Sequence, residues 1–356
     1  MTYIYSYIDA MEKIGEGTYG CVHRQPIKCE ESLGIDYKDK ISKLMEAKYA
    51  DAELQEYKLI DKADPKYKFH MEAPVKCSPE KSEAALAAID KCDDFNRMDV
   101  DRYKLLVMPD GGISLNEYVK HNVNKKEVER FWIESQRIFY GVKVMRDERI
   151  IHQDFKPHNL VYNIKTKRMN FIDFGFMDEM LKVIEKCRHS RYSDGQAHWS
   201  FPYEFRFINR AEYMNALSHH PVLEGDKQFK YFAEYVTKPG RNREEFIAQY
   251  RRSIHDMFRH DLRPENYEAF LKRSIETTDL YSVGLSFLYM LNEFESKMEN
   301  SLAANLRELF NHMITPRVSL RISVDDALVR YESIMASSGL LRKHRLKFTN
   351  HELAKI

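Results

Sequence analysis

Apolar residues follow two different rhythms along the chain, and the change between them divides it. Residues 11–22, MEKIGEGTYGCV, read as strand, glycine turn and strand, and Ile41-Ser42-Lys43-Leu44-Met45 alternates as a strand does. Residues 46–62 switch to helical composition, with Ala47, Ala50, Leu54, Tyr57, Leu59 and Ile60 roughly tracing one face and Pro65 marking the end. Residues 66–102 are polar and read as an insertion. Residues 103–108, YKLLVM, form a buried strand with Pro109-Asp110-Gly111-Gly112 as its exit. Beyond this point helices dominate. They are expected at 115–120 and at 126–149, where Phe131, Ile138, Val142 and Met145 give the apolar face.

The main exception is the stretch 150–176. The apolar runs Ile150-Ile151 and 170–172 bracket a polar loop, and Leu160-Val161-Tyr162 with the turn 163–166 offers a hairpin-like return. Further on, 229–236 and 243–258 look helical, with breaks at His219-His220-Pro221 and Lys238-Pro239-Gly240. The two adjacent histidines read as surface residues. Asp279 opens an apolar helix as its N-cap. The last basic stretch, LLRKHRLKFTN, reads as a solvated tail. The pattern predicts an α+β chain, β-rich at the start and mainly helical afterwards.

Composition narrows the picture. A chain of 356 residues has room for two domains or one bilobal unit. Lys+Arg (56) and Asp+Glu (55) nearly cancel, so bulk charge suggests no nucleic-acid partner. Five cysteines without a Cys-x-x-Cys pair argue against a disulfide framework and a zinc finger and fit a reducing compartment, with Cys77 and Cys92 as unpaired thiols. No run is long enough to span a bilayer, and the first residues lack the basic region of a signal peptide. The expectation is an intracellular, soluble protein with no membrane partner.

Candidate chemistry gathers on the polar loop, where Asp154, Lys156, Asn159 and Asp173 stand. The hairpin-like return would bring Asp154 and Asp173, 19 residues apart, to one place. One carboxylate can then take a proton while the other, with the Asn carbonyl, holds Mg²⁺ through hard oxygen ligands. Lys156 can offset charge on a phosphate in transfer. Gly15, Gly17 and Gly20 would let backbone N–H groups approach a phosphate, and a continuing strand at Cys21-Val22-His23 excludes a dinucleotide-binding turn, which needs a helix there. Lys43 and Lys28 compete as phosphate anchors. Lys28 follows the last glycine too closely to finish one strand and reach midway along another. Glu46, Glu53 and Glu56 compete to pair with Lys43.

The pattern His-x-Asp-x-Lys-x-x-Asn at 152–159, followed by Asp173-Phe174-Gly175, resembles the catalytic core of eukaryotic-type protein kinases. The resemblance extends over roughly residues 10–330 through ordered motifs. These are the glycine turn with Val22, Lys43, a helical glutamate, Pro202-Tyr203-Glu204, Asp279 in a helix, and Arg321. The Glu-Leu-x-x-Tyr context of Glu53 is similar to that of casein-kinase-like and large-DNA-virus kinases, and it selects Glu53 as the partner of Lys43. The insertions and Gln153, where arginine is usual, also resemble divergent kinases of large DNA viruses.

The resemblance implies a bilobal fold, a β-rich N-lobe over 11–108 and a helical C-lobe over 112–335. It also implies a 1–10 extension, insertions at 66–102 and 206–278, and a basic 336–356 tail. It implies transfer of the γ-phosphoryl of ATP to a Ser or Thr hydroxyl of a protein substrate by a monomer in the cytoplasm, in the host cytoplasm if viral, or packaged in a virion. Asp154 and Lys156 would be catalytic, and Asn159 and Asp173 would hold Mg²⁺. Ile14, Gly15, Glu16, Gly17, Gly20, Val22, Lys43, Glu53, Met108 and Gly111 would bind ATP, with Met108 as gatekeeper and the Pro109 carbonyl and Gly111 N–H meeting adenine. Glu204, Asp279 and Arg321 would be structural, the first and last as an ion pair and Asp279, at the start of its helix, as the residue that holds the backbone of the catalytic loop. Gln153 carries no charge and cannot hold a phosphorylated activation loop, so activity should not depend on phosphate at Ser190, Tyr192 or Ser193. A small-molecule kinase of the aminoglycoside or choline type shares part of the pattern but would not be expected to carry Lys156, Pro202-x-Glu204 and Arg321 together. A pseudokinase scaffold usually lacks one of the residues corresponding to Lys43, Asp154 and Asp173.

Overall fold

A computed structural model gives the structure of the protein and describes residues 11–17, 19–192, 200–218, 227–236 and 243–346. The 1–10 extension, Ser193, Gly195, Trp199, His219-His220-Pro221, Lys238-Pro239-Gly240 and the end of the basic stretch lie outside the described residues. The chain divides into two compact units, Met1–Gly111 and Gly112–Ile356.

The first unit is built on a five-stranded antiparallel sheet. Its elements in chain order are β1 (Glu12–Gly17), β2 (Gly20–Arg24), β3 (Lys40–Glu46), α1 (Ala47–Ala63), β4 (Val75–Cys77), α2 (Glu83–Ile89) and β5 (Tyr103–Pro109). The spatial order is β1-β2-β3-β5-β4. Strand alternation sends Leu44, Leu105 and Val107 to one face, against Ile27, Ala85, Ala88 and Ile89. Met45, Leu106 and Met108 go to the other face, where Ala50 and Leu54 of α1 meet them.

Two expectations fail here. Residues 66–102 are not simply an insertion, because they supply β4, which pairs with β5, and α2, which covers one sheet face. The strand is only three residues long and two of its side chains are exposed, so its apolar signal is weak. Nor are Cys77 and Cys92 unpaired thiols. Cys21 is bonded to Cys92 and Cys29 to Cys77, leaving Cys187 as the one free cysteine. The bonds span sequence separations of 71 and 48 residues. On the chain-entropy account each is worth roughly 4 kcal/mol to the folded state. The inference of a reducing compartment from an odd cysteine count therefore loses its basis.

In the second unit, β6 (Ile113–Ser114) leads through α3 (Leu115–Tyr118), α4 (Lys125–Glu134) and α5 (Gln136–Asp147) to β7 (Ile150–Ile151). The ribbon β8 (Leu160–Asn163) and β9 (Arg168–Phe171) follows, then β10 (Asp178–Glu179) and α6 (Met180–Arg188). The remaining helices are α7 (Arg210–Ala216), α8 (Lys227–Val236), α9 (Arg243–His260), α10 (Tyr267–Phe294), α11 (Asn300–Met313), α12 (Val324–Ser337) and α13 (Leu340–His344). Asn124 starts α4 with a reciprocal capping box to Glu127. The helix expected across 126–149 is two helices that meet at Ser135, whose hydroxyl and N–H both donate to the Phe131 carbonyl at 2.9 Å.

The core of this unit is aromatic, with Trp132, Phe139, Phe287, Phe310 and Tyr331 in mutual contact. Two further expectations are corrected. The interval after Asp-Phe-Gly holds a helix, α6, anchored by buried Met180, Val183 and Cys187. The basic stretch at 340–350 does not begin as a solvated tail, because Lys343 and His344 of α13 both bind the buried Glu129 carboxylate, at 2.7 and 2.9 Å.

Gly112 starts this unit with φ +96°, and a Cβ there would lie 2.3 Å from the Tyr162 carbonyl oxygen on β8. Gly34 has φ +66° with open space around it. Gly34→Ala should cost about 1–2 kcal/mol, the left-handed penalty alone. Gly112→Ala must also displace backbone and should cost more than about 3 kcal/mol. Denaturant midpoints of the two variants check this, and equal losses would contradict the contact.

Candidate active site

In the first unit β1 and β2 make a tight hairpin, Gly17 opposite Gly20. Two residues join them, which is short enough to need glycine-rich flanks. Gly20 is a close-approach position: an added Cβ would sit 3.0 Å from Lys43 Cε and from the Leu44 carbonyl oxygen. Val22 pairs with Lys43 across the β2–β3 ladder, so the glycine hairpin and the lysine share a register. Lys43 Nζ bonds Glu53 Oε2 at 2.5 Å, both side chains about a quarter exposed or less. The rival glutamate Glu46 pairs with Lys48, and Lys28 lies exposed on the loop after β2. Met108 is buried at the end of β5, with Gly111 buried just beyond it. Ile14 and Val22 are half-buried. The Glu16 carboxylate is taken up otherwise: it pairs with Lys13 and accepts the backbone N–H groups of Asp93 and Asp94.

The second unit gathers the polar loop. Asp154 is buried at its centre. Lys156 Nζ donates to its Oδ2 at 2.7 Å, and Asn159 Nδ2 donates to the same oxygen at 2.7 Å and to the Asp154 carbonyl at 3.0 Å. Spending its amide hydrogens on Asp154 leaves the Asn159 side-chain oxygen as an acceptor. The Asn159 carbonyl takes the N–H of Ile172 at 3.1 Å, tying the loop to the residue before Asp173. Asp173 is exposed, with φ +65°. His152 is fully buried, stacked on Phe155, and accepts the Asp154 N–H at Nδ1. Burial pushes its pKa down to about 4, against the pull of Asp154 and Asp173.

The loop is held from behind. Asp279 accepts the N–H of His152 at 2.8 Å and of Gln153 at 3.0 Å. It does not cap a helix: it stands inside the 28-residue α10 and sends its carboxylate out of the helix. Gln153 has φ +67° and uses both ends of its side chain, Nε2 to the Phe176 carbonyl at 2.6 Å and Oε1 from the Tyr192 hydroxyl at 2.9 Å. Ser190 accepts the Ala211 N–H.

Glu204 and Arg321 form a bidentate pair at 2.7 and 3.0 Å, both fully buried. Arg321 adds bonds to the Thr315 carbonyl and Thr277, and the Tyr281 ring lies 5.0 Å from its guanidinium. A buried pair so completed is the case in which losing one partner costs roughly 3–5 kcal/mol.

The structure thus joins Lys43 with Glu53, Asp154 with Lys156 and Asn159, and Glu204 with Arg321. Two residues carried no usable signal in the sequence. Tyr192 lies in a polar stretch where a hydroxyl looks solvated. Glu134, buried with Arg137, accepts the Met169 N–H and so steadies β9.

Two buried groups of the loop titrate against each other. Burial pushes the Asp279 carboxyl up to about 6. Between its unfolded value near 3.9 and about 6 the folded chain keeps a proton that the unfolded chain has lost, so stability falls as pH rises. His152 runs the other way, because the unfolded chain binds the extra proton between about 4 and 6.5. Thermal midpoints of Asp279→Asn should therefore rise more steeply from pH 4 to 6 than those of the wild type, and parallel curves would show that Asp279 does not titrate there. Comparison with models of protein families and with curated proteins found no match, and the chemistry is read from the site's own geometry.

Proposed function

We propose that the chain is an ATP-dependent serine/threonine protein kinase. The observation that carries the reading is the Asp154–Lys156–Asn159 cluster, fixed on its backbone by Asp279. Asp154 would accept the proton of a substrate hydroxyl as that oxygen attacks the γ-phosphorus. Lys156 would swing its ammonium to the γ-phosphate and offset the charge spread over its oxygens. Lys43, braced by Glu53, would grip the α/β-phosphates, and the glycine hairpin would offer its N–H groups.

The donors present suit Mg²⁺, since the Asn159 oxygen is left over and the Asp173 carboxylate is exposed, both hard oxygen ligands. Bound by these two, the cation would neutralise charge on the phosphates. Asp154→Asn keeps the shape of the side chain and removes the base. Turnover on a generic protein substrate should fall at least ~10²-fold while ATP binding persists. Lys43→Met should weaken turnover strongly and Lys28→Met should not. Near-wild-type turnover in Asp154→Asn, or equal losses in the two lysine variants, would sink the assignment. Phosphorylation of a small alcohol in place of protein would move it to a small-molecule kinase.

In this reading Gln153 holds the segment after Asp-Phe-Gly through a neutral tyrosine hydroxyl, where an arginine would call for phosphate. Phosphatase treatment, and alanine at Ser190 and Ser193, should leave turnover within about two-fold. Tyr192→Phe strands the Gln153 oxygen, a loss of about 1–3 kcal/mol in loop order, and should lower turnover several-fold. A large drop on phosphatase treatment, with folding unchanged, would overturn this.

A further inference from the structure

The glycine hairpin is tied to residues 91–94 at several points. Lys13 Nζ reaches the Lys91 carbonyl at 3.0 Å, the Glu16 carboxylate accepts the Asp93 N–H at 2.9 Å, and Cys21 is bonded to Cys92. The polar ties are exposed and individually weak. The covalent one attaches one residue after Gly20, beside Leu44 in the β2–β3 register. A buried imidazole lies against it: His23 Nε2 is 3.6 Å from Cys92 Sγ and 3.9 Å from Cys21 Sγ, and 3.2 Å from the Ala88 carbonyl. The other disulfide is differently placed. Beside Cys29–Cys77 the backbone is paired anyway, Glu30 N–H to the Ser78 carbonyl and Glu80 N–H to the Lys28 carbonyl, both at 2.9 Å.

We propose that Cys21–Cys92, with His23 beside both sulfurs, is a redox site opened by a dithiol reductant, and that its state sets how firmly the glycine hairpin is held. A thiolate of the reductant attacks Cys92 Sγ, since Cys92 is 4% exposed and Cys21 not at all. The S–S bond breaks and Cys21 leaves as a thiolate, to which His23 can turn its Nε2–H from the Ala88 carbonyl. The reductant's second thiol then displaces Cys92. Two electrons and two protons pass to the protein, which gains two thiols, and the reductant becomes a disulfide. Cys29–Cys77 acts only as a staple, because its flanking backbone bonds survive reduction. The redox chemistry is independent of the kinase reading; its effect on nucleotide binding rests on that reading.

The test uses the full chain purified without reductant. Alkylation before and after dithiothreitol, read by peptide mass, reports the disulfides. Cys187 is a quiet background, its thiol buried and pushed up to about 12 by that burial. Hydrogen exchange over residues 12–24, with ATP affinity alongside, reports the hairpin. Dithiothreitol should speed exchange there at least ten-fold in the wild type and in Cys29→Ser/Cys77→Ser. Cys21→Ser/Cys92→Ser should exchange fast with or without it. His23→Phe should slow reduction of the Cys21–Cys92 bond several-fold. ATP affinity should fall several-fold wherever exchange is fast.

Unchanged exchange on reduction would overturn the proposal, as would Cys21 and Cys92 free in never-reduced protein. Zinc bound stoichiometrically to Cys21, His23 and Cys92 in the reduced chain would also overturn it, in favour of a metal site. If exchange responds but ATP affinity does not, the link to the nucleotide is wrong. If exchange responds and ATP binds in neither state, the redox site stands and the kinase reading falls.

Discussion

One buried carboxylate holds the polar loop around Asp154 in shape. Asp279 accepts two consecutive backbone N–H groups, of His152 and Gln153. The second donor, Gln153, is itself in the left-handed region at φ +67°, a conformation that costs a non-glycine residue about 1–2 kcal/mol. Without a partner on both N–H groups the backbone would relax and carry Asp154 with it. A second left-handed residue, Asp173 at φ +65°, ends the ribbon that starts at Asn159. Strain of this kind persists only where surrounding bonds over-determine it. Here the bonds come from a helix distant in sequence, from the Asn159 carbonyl and from the Gln153 side chain. Placing Asp279 inside a long buried helix, rather than at a flexible end, makes the acceptor rigid.

The two charge pairs inherited from the motif pattern differ in kind. Glu204 and Arg321 are sealed, bidentate and backed by Thr315 and Thr277. Such a pair adds little net stability over apolar packing but fixes one geometry, because any alternative strands a charge. Lys43 and Glu53 keep 27% and 19% of their side-chain surface. Water can replace either partner, so this pair can form and part at modest cost. One unit thus holds a rigid lock and the other an adjustable contact.

Much of this was legible in the sequence where local pattern and chemistry coincide. The alternation around Lys43 gave β3, helical composition gave α1, α8 and α9 within a few residues, and spacing set Lys43 above Lys28. What stayed hidden depended on partners far away. The resemblance pointed to Asp279 as the residue that holds the loop backbone, but as the start of its helix, and only the fold shows the twelve helical residues ahead of it, from Tyr267. β4 has three residues with two exposed, so its existence rests on the neighbouring β5, not on its own pattern. The join of α4 and α5 at Ser135, whose hydroxyl also bonds the Phe131 carbonyl, leaves no mark on the apolar periodicity.

The cysteines show why a count can mislead. Parity treats the residues as one population, but Cys187 belongs to an apolar helix face, while the other four lie in the first unit. That unit must also hold a hairpin in which a Cβ added at Gly15 or Gly17 would meet nothing within 4 Å among the described residues. A glycine-rich turn whose flanking residues bring no side chains to bury gains little from packing of its own. Its anchor has to come from the residues behind it. Cys21 and Glu16 supply that anchor by reaching to residues 92–94, so the polar stretch that looked dispensable carries the part of the sheet that most needs support.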